Sequence, residues 1–69
     1  MKFQDYTITL RDSTGKTYTV GINGDCINEQ IREGVSEEQA VENVEGNAFH
    51  NAIYKGRIGA DCWVDSINR

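Results

Sequence analysis

Hydrophobic and polar residues alternate over two segments near the beginning of the chain, residues 3–11 and 16–22. A period of two residues is typical of a strand with one buried face. The apolar positions are Tyr6, Ile8 and Leu10 in the first segment, and Tyr18, Val20 and Ile22 in the second. Residues 12–15, Asp-Ser-Thr-Gly, favour a tight turn between them. The pattern therefore predicts a β-hairpin.

A short helical pattern follows the hairpin. Asp25 can cap a helix over residues 26–33, in which Ile27 and Ile31 form an apolar contact at i, i+4. Gly34 suits the left-handed position that ends a helix. Because so short a helix is marginal, a turn or loop stays open as the alternative.

A longer helix is predicted from about residue 37 to residue 54. Ser36 can cap it and Gln39 can bond back to the cap, while Gly56 lies just beyond its end. The apolar stripe turns by about 90° between residues 40–44 and residues 48–53. We therefore expect a bend at Gly46-Asn47, or two short helices with Asn47 capping the second.

Residues 57–67 return to strand character. Strict alternation places Ile58, Ala60, Cys62 and Val64 on one face, and Trp63, Asp65 and Ile67 on the other. The order strand, strand, helix, strand predicts an α+β fold: a small antiparallel three-stranded sheet, order 2-1-3, with one main helix on one face. We expect residues 1–69 to form a single domain.

Size and composition limit the function. A chain of 69 residues buries only ~60% of its unfolded surface, which leaves little room for a deep catalytic pocket. Residues 1–5 begin no signal peptide, and nothing approaches the ~20 apolar residues of a membrane span. We therefore expect a cytoplasmic protein with no membrane contact and with reduced Cys26 and Cys62; a disulfide between them is the alternative.

The negative charge is concentrated in one segment. Residues 25–45 carry seven carboxylates and one cation, Arg32, which gives −6, whereas the other 48 residues hold four acids and six bases, which gives +2. A concentrated negative field suits a basic partner and repels phosphates. The candidate partner-binding residues are Asp25, Glu29, Glu33, Glu37, Glu38, Glu42 and Glu45.

Two interpretations of these carboxylates stay open: a solvated face and a partner-binding patch. Glu38, Glu42 and Glu45 fall within about 60° on a helical wheel, and like charges at i, i+4 destabilise a helix. No lysine or arginine between residues 37 and 54 compensates them. In an unbent helix the same side would carry Phe49 and Ile53, and such adjacency of acidic and apolar residues suits a protein interface.

No pattern of residues indicates a reaction. Residues 13–17 resemble the end of a phosphate-binding loop, but the motif's first glycine is replaced by Leu10 and a strand follows. His50 is the only histidine, both cysteines fall at positions expected to face the core, and Ile27 and Ile31 interrupt the oxygen spacing of a calcium loop. We therefore predict a non-enzyme with no catalytic residue, no metal and no cofactor.

Direct nucleic-acid binding is disfavoured, because the basic residues are scattered along the chain. In size, acidity and element order the whole chain resembles the small anti-CRISPR proteins of phages and other mobile elements, a group without a shared motif. This resemblance implies a stoichiometric inhibitor in a bacterial host. The inhibitor would occupy a basic nucleic-acid groove of a nucleoprotein such as a CRISPR effector complex, as a DNA mimic, through the seven carboxylates.

The alternative is a small regulatory or interaction module with a solvated acidic face. Such a module could form a homodimer through an exposed strand edge or through the surface of Phe49 and Ile53. For the inhibitor, charge reversal of Glu38, Glu42 and Glu45 to lysine is expected to abolish partner binding while the fold survives, and unchanged affinity would contradict binding in a basic groove.

Overall fold

A computed structural model describes residues 3–69. The elements are β1 (Tyr6–Asp12), β2 (Thr17–Ile22), α1 (Gly24–Arg32), α2 (Glu37–Tyr54) and β3 (Cys62–Asn68). The three strands form one antiparallel sheet in the order β2-β1-β3, with the hairpin β1–β2 at one side. The predicted α+β fold and strand order are confirmed. Within residues 3–69, neither helix is long and apolar enough to cross a lipid bilayer.

The core lies between one face of the sheet and the helices. The alternating apolar residues of the hairpin point to this face, as predicted, and Tyr18 is the one that is only partly buried. The buried apolar residues are Tyr6, Ile8, Leu10, Val20, Ile22, Ile27, Ala40, Ala52 and Ile58. The opposite face carries four threonines of the hairpin, together with Arg11 and the half-exposed Trp63, and is open to solvent, so the molecule has two layers.

Helix α1 begins two residues earlier than predicted. Asn23, and not Asp25, is its N-cap, because the Asn23 side chain accepts a hydrogen bond of 2.9 Å from the backbone N–H of Asp25. A Cβ at Gly24 would lie 2.6 Å from backbone atoms of Phe3 and Gln4, so only glycine allows the N-terminal segment to cross here. Asn28 holds that segment, accepting from Phe3 N–H and donating to Phe3 C=O.

Helix α2 begins at the predicted cap. The Ser36 hydroxyl accepts a hydrogen bond of 3.2 Å from the backbone N–H of Gln39. The prediction that the Gln39 side chain bonds back to the cap residue is wrong, because the Gln39 amide donates a hydrogen bond to the Asn43 side chain instead. The helix is one continuous element through Gly46 and Asn47, so the division into two short helices is also wrong. The turns on either side of Gly46 are helical, although glycine itself is unfavourable inside a helix.

The third strand starts five residues later than predicted. Residues 57–61 form an irregular, bent segment, and Ile58 is buried there without belonging to a strand. In the pairing of β1 with β3, Thr9 faces Ser66 and Leu10 faces Val64, so Asp65 is an extra residue in a β-bulge. Ile67 therefore pairs with Ile8 and lies on the helix side of the sheet, contrary to the face predicted by strict alternation.

Candidate partner-binding surface

Helix α1 presents its acidic residues to solvent. Its buried side is formed by Ile27, which is completely buried, together with Asn28 and the partly buried Ile31. Asp25 and Glu29 are exposed on the opposite side, and Glu33 is exposed immediately after the last turn. Their spacing of four residues aligns the three carboxylates along one edge of the helix.

The first half of α2 adds a second set of carboxylates. Glu37 and Glu38 lie in its first turn, where the helix dipole stabilises negative charge, and Glu42 follows one turn later. All three are exposed. The side chain of Asn43 contacts Gln30 of α1 at 2.9 Å, and Asn43 lies about 100° around the helix from Glu42. Glu29 and Glu42 are the sequence neighbours of the two residues in this amide contact between the helices.

Six of the seven predicted carboxylates have no counter-cation within the described residues 3–69. The two ion pairs found there are Arg11–Asp65 at 3.2 Å and Arg69–Glu45 at 3.7 Å. Arg32, the one cation of the acidic segment, belongs to neither pair. The exposed carboxylates of Asp25, Glu29, Glu33, Glu37, Glu38 and Glu42 are named the acidic surface below.

Glu45 differs from these six. Its carboxylate accepts a hydrogen bond from the Tyr6 hydroxyl, and its side chain is only 23% exposed. The guanidinium carbon of Arg69 lies 5.3 Å from the centroid of the Tyr6 ring, so the three side chains form one cluster. Burial, reinforced by the Glu45 carboxylate, raises the pKa of the Tyr6 phenol to about 12. Glu45 therefore helps to hold α2 on the sheet, and charge reversal there would disturb the fold.

An apolar groove adjoins the acidic surface. Helix α2 makes its main contacts with α1 and β2, and the helix side of β3 is only partly covered. Val64 and Ile67 of β3 remain 47% and 44% exposed. The space beside α2 measures about 210 Å³ and is called the α2–β3 groove. Its floor and walls are formed by Ile8, Leu10, Val20, Glu42, Glu45, Gly46, Phe49 and Val64.

The continuity of α2 places charged and apolar side chains at the same groove. Glu42, Glu45 and Phe49 lie at i, i+3 and i+7, and all three line it. The expected adjacency of acidic and apolar residues is therefore present at Phe49, whereas Ile53 does not line the groove. Phe49 could be identified from the helical spacing, whereas Val64 and Ile67 could not be joined on one face, because the bulge at Asp65 left no signal in the sequence.

The groups that could have carried chemistry lie apart. Cys26 is exposed on α1, contrary to its expected core position, and Cys62 is partly buried; both are free thiols. Burial, followed by the carboxylates of Asp12 and Asp61, raises the pKa of Cys62. His50 is exposed and stacks on Tyr54, with ring centroids 6.4 Å apart. Residues 3–69 contain no group of three or more side chains placed to hold a metal ion.

Asp12 is a buried carboxylate that the sequence pattern did not single out. Its side chain accepts hydrogen bonds from the backbone N–H groups of Thr14, Lys16 and Gly59 and from the Thr14 hydroxyl. These donors, the Thr14 hydroxyl most of all, lower the pKa of Asp12 to about 2. Because the donors lie in the hairpin loop and in the irregular segment before β3, Asp12 joins these two parts of the chain.

Comparison with protein families, with curated proteins and with solved structures finds no match to this chain.

Proposed function

We propose that this chain is a non-enzymatic binding protein whose acidic surface holds a cationic surface of a partner. In its most specific form the proposal is a phage-type, anti-CRISPR-like inhibitor in the cytoplasm of a bacterial host. It would occupy the basic nucleic-acid groove of a CRISPR effector complex by phosphate mimicry.

The observation that carries the proposal is the set of six exposed carboxylates without a counter-cation in residues 3–69. Surfaces shaped only for solubility intersperse both signs of charge. Asp25/Glu29, Glu29/Glu33 and Glu38/Glu42 repel each other at i, i+4 spacing, which costs an isolated helix ~0.2–0.5 kcal/mol per pair. A cationic partner would remove this repulsion, so the cost in the free protein becomes a gain in the complex.

A non-enzymatic role agrees with the position of the reactive groups. The exposed thiol of Cys26 lies on α1 and the exposed imidazole of His50 lies on α2, and no hydrogen bond within residues 3–69 joins either of them to an activating group. Nucleophilic catalysis needs such a pairing of nucleophile and base.

The test is displacement of fluorescent target DNA from a panel of purified, guide-RNA-loaded CRISPR effector complexes. The wild-type protein is expected to displace DNA from at least one complex with a simple whole-number stoichiometry. The variant Glu38→Lys/Glu42→Lys is expected to lose at least about tenfold in affinity, which corresponds to 1.4 kcal/mol. Glu45 is left unchanged because it bonds to Tyr6.

A matched control raises the net charge by the same four units at the opposite end of the sheet. It combines Ser13→Lys, Thr17→Lys and Asp61→Lys, three exposed positions around the hairpin turn. This control is expected to inhibit like the wild type. Equal loss in both variants would show a dependence on net charge alone, and equal inhibition by both would contradict the proposed role of the acidic surface.

A second candidate is an interaction module that forms a homodimer. It is favoured by β3, which is an edge strand with half-exposed Val64 and Ile67. Sedimentation velocity over a range of concentrations decides between the two, because a homodimer would form without any other component and would persist at high salt.

A further inference from the structure

The α2–β3 groove is an incomplete layer of the fold. Neighbouring strands lie ~4.8 Å apart, so β3 lies ~10 Å from β2, about the diameter of one helix with its side chains. Helix α2 makes its main contacts on the β2 side, and Val64 and Ile67 of β3 stay about half exposed within the described residues 3–69. This half-exposed strip is therefore wide enough for a second helix lying beside α2.

The groove is shaped for apolar side chains at its floor. Ile8 and Leu10 of β1 are almost completely buried beneath it, and Val64 and Phe49 form its sides. A space of about 150 Å³ accommodates a benzene molecule, so the 210 Å³ here has room for a leucine or phenylalanine side chain. Burying such a side chain would also cover the exposed part of Val64.

Gly46 supplies a second, independent indication. A Cβ at this position would meet no atom within 4 Å, so nothing in the described fold requires glycine there. Glycine in the middle of a helix is nevertheless unfavourable relative to alanine. Gly46 lines the groove, where the absence of a side chain lets another backbone approach α2 closely. An occupant of the groove therefore explains why position 46 is a glycine, whereas the fold of the free protein does not require one.

The charge at the rim selects the kind of occupant. Glu42 lines the groove without a cation within 4.0 Å in residues 3–69, and Glu38 lies one turn before it. A second copy of this chain would bring another acidic rim against the first, at a net charge of −4 for each copy. A partner with lysine or arginine beside its apolar residues is complementary instead.

We infer that the α2–β3 groove binds the apolar face of a basic amphipathic helix of the partner. This inference rests on the proposed function, because it gives the acidic surface a neighbouring hydrophobic anchor on the same partner. The apolar side chains enter between Phe49 and Val64, and the flanking cations meet Glu38 and Glu42. The anchor adds affinity that salt does not screen, while the charges orient the approach.

The probe for this inference is a fluorescein-labelled helical peptide of about 18 residues, the length of α2. It carries leucine at i, i+3, i+4 and i+7 spacing and lysine elsewhere. A second peptide replaces leucine by asparagine and keeps the charge, and a third replaces lysine by glutamine and keeps the leucines. Binding is measured by fluorescence anisotropy, and the site is mapped by methyl NMR shifts of Ile8, Leu10 and Val64.

Two matched variants separate the groove from the rest of α2. Gly46→Leu places a side chain at the groove, whereas Asn47→Leu makes a leucine substitution one residue on, about 100° around the helix. Leucine is a better helix former than either original residue, so both variants should fold. Gly46→Leu is expected to lower the affinity for the leucine–lysine peptide at least about tenfold. Asn47→Leu is expected to bind this peptide as tightly as the wild type does.

The outcomes distinguish this inference from the proposed function. Equal binding of the leucine and asparagine peptides, or no effect of Gly46→Leu, overturns the groove inference. If the variant Glu38→Lys/Glu42→Lys still binds the peptides more weakly than the wild type in that case, the proposed function stands without the groove inference. A dimer of the free protein that Gly46→Leu converts to a monomer would make the occupant a second copy and would also overturn the inference.

Discussion

Asp12 shows how a single carboxylate organises the end of the sheet away from the acidic surface. One of its oxygens accepts three hydrogen bonds from Thr14 and Lys16, and the other accepts one from Gly59 at 3.0 Å. A Cβ at Gly59 would lie 3.1 Å from that second oxygen, so the backbone approaches closely here. The carboxylate thus fixes both the hairpin turn and the start of β3.

Asp12 makes stability depend on pH in acid. The folded pKa of about 2 lies below the ordinary value of 3.8, so both states are ionised above about pH 4 and the stabilisation is complete there. As the pH falls from about 4 to about 2, the unfolded chain takes up the proton first and this contribution is lost.

The variant Asp12→Asn isolates this effect. Its amide nitrogen cannot accept from the Gly59 N–H, so the variant is expected to be less stable than the wild type at pH 7. The difference should shrink between about pH 4 and about pH 2. Urea unfolding at a series of pH values measures it, and parallel stability curves for the two proteins would contradict this role of Asp12.

At the scale of elements, α2 carries most of what is unusual about this protein. Its buried residues, Ala40 and Ala52, are both small. The side that carries Glu38 and Glu42 in the first half continues with Phe49 and Ile53, which are partly buried against the core. Since the helix does not break at Gly46, both halves face the same groove, and the charge pattern becomes a feature of one surface.

Gly46→Ala tests whether the glycine belongs to the fold. The added methyl group meets open space. The free energy of unfolding of the variant is therefore expected to be about 0.5–1 kcal/mol higher than that of the wild type. The free energy of unfolding in urea measures this change. A destabilised variant would show that Gly46 relieves strain in α2 and would remove its explanation through an occupant.

The periodic parts of the fold could be predicted from the sequence. Tyr6, Ile8 and Leu10 alternate cleanly, and Ser36 occupies a cap position that the structure uses. Features that depend on one residue could not be predicted in this way. The extra residue at Asp65 reverses the face of Ile67, and the cap at Asn23 starts α1 two residues earlier than predicted. The pairing of Glu45 with Tyr6 joins residues 39 positions apart, which no local pattern indicates.

At the scale of the whole molecule, charge and apolar surface are unevenly distributed. The outer face of the sheet is mainly polar, with Thr9 contacting Thr19 and with the Arg11–Asp65 ion pair lying across it, and it also carries the half-exposed Trp63. The helices carry the unpaired carboxylates, and the α2–β3 groove opens beside them. A partner that meets this side encounters an attractive field for cations first and an apolar contact second.

The most direct test of the central claim is the salt dependence of inhibition by the wild type and by Glu38→Lys/Glu42→Lys. Affinity for a CRISPR effector complex from the panel would be measured by DNA displacement from about 50 mM to about 200 mM salt, a range over which contacts between multiple charges weaken strongly. The wild type is expected to lose affinity steeply with salt, and the variant is expected to bind weakly with a shallower slope. Equal affinities with the same slope would show that the carboxylates of α2 do not hold a cationic partner.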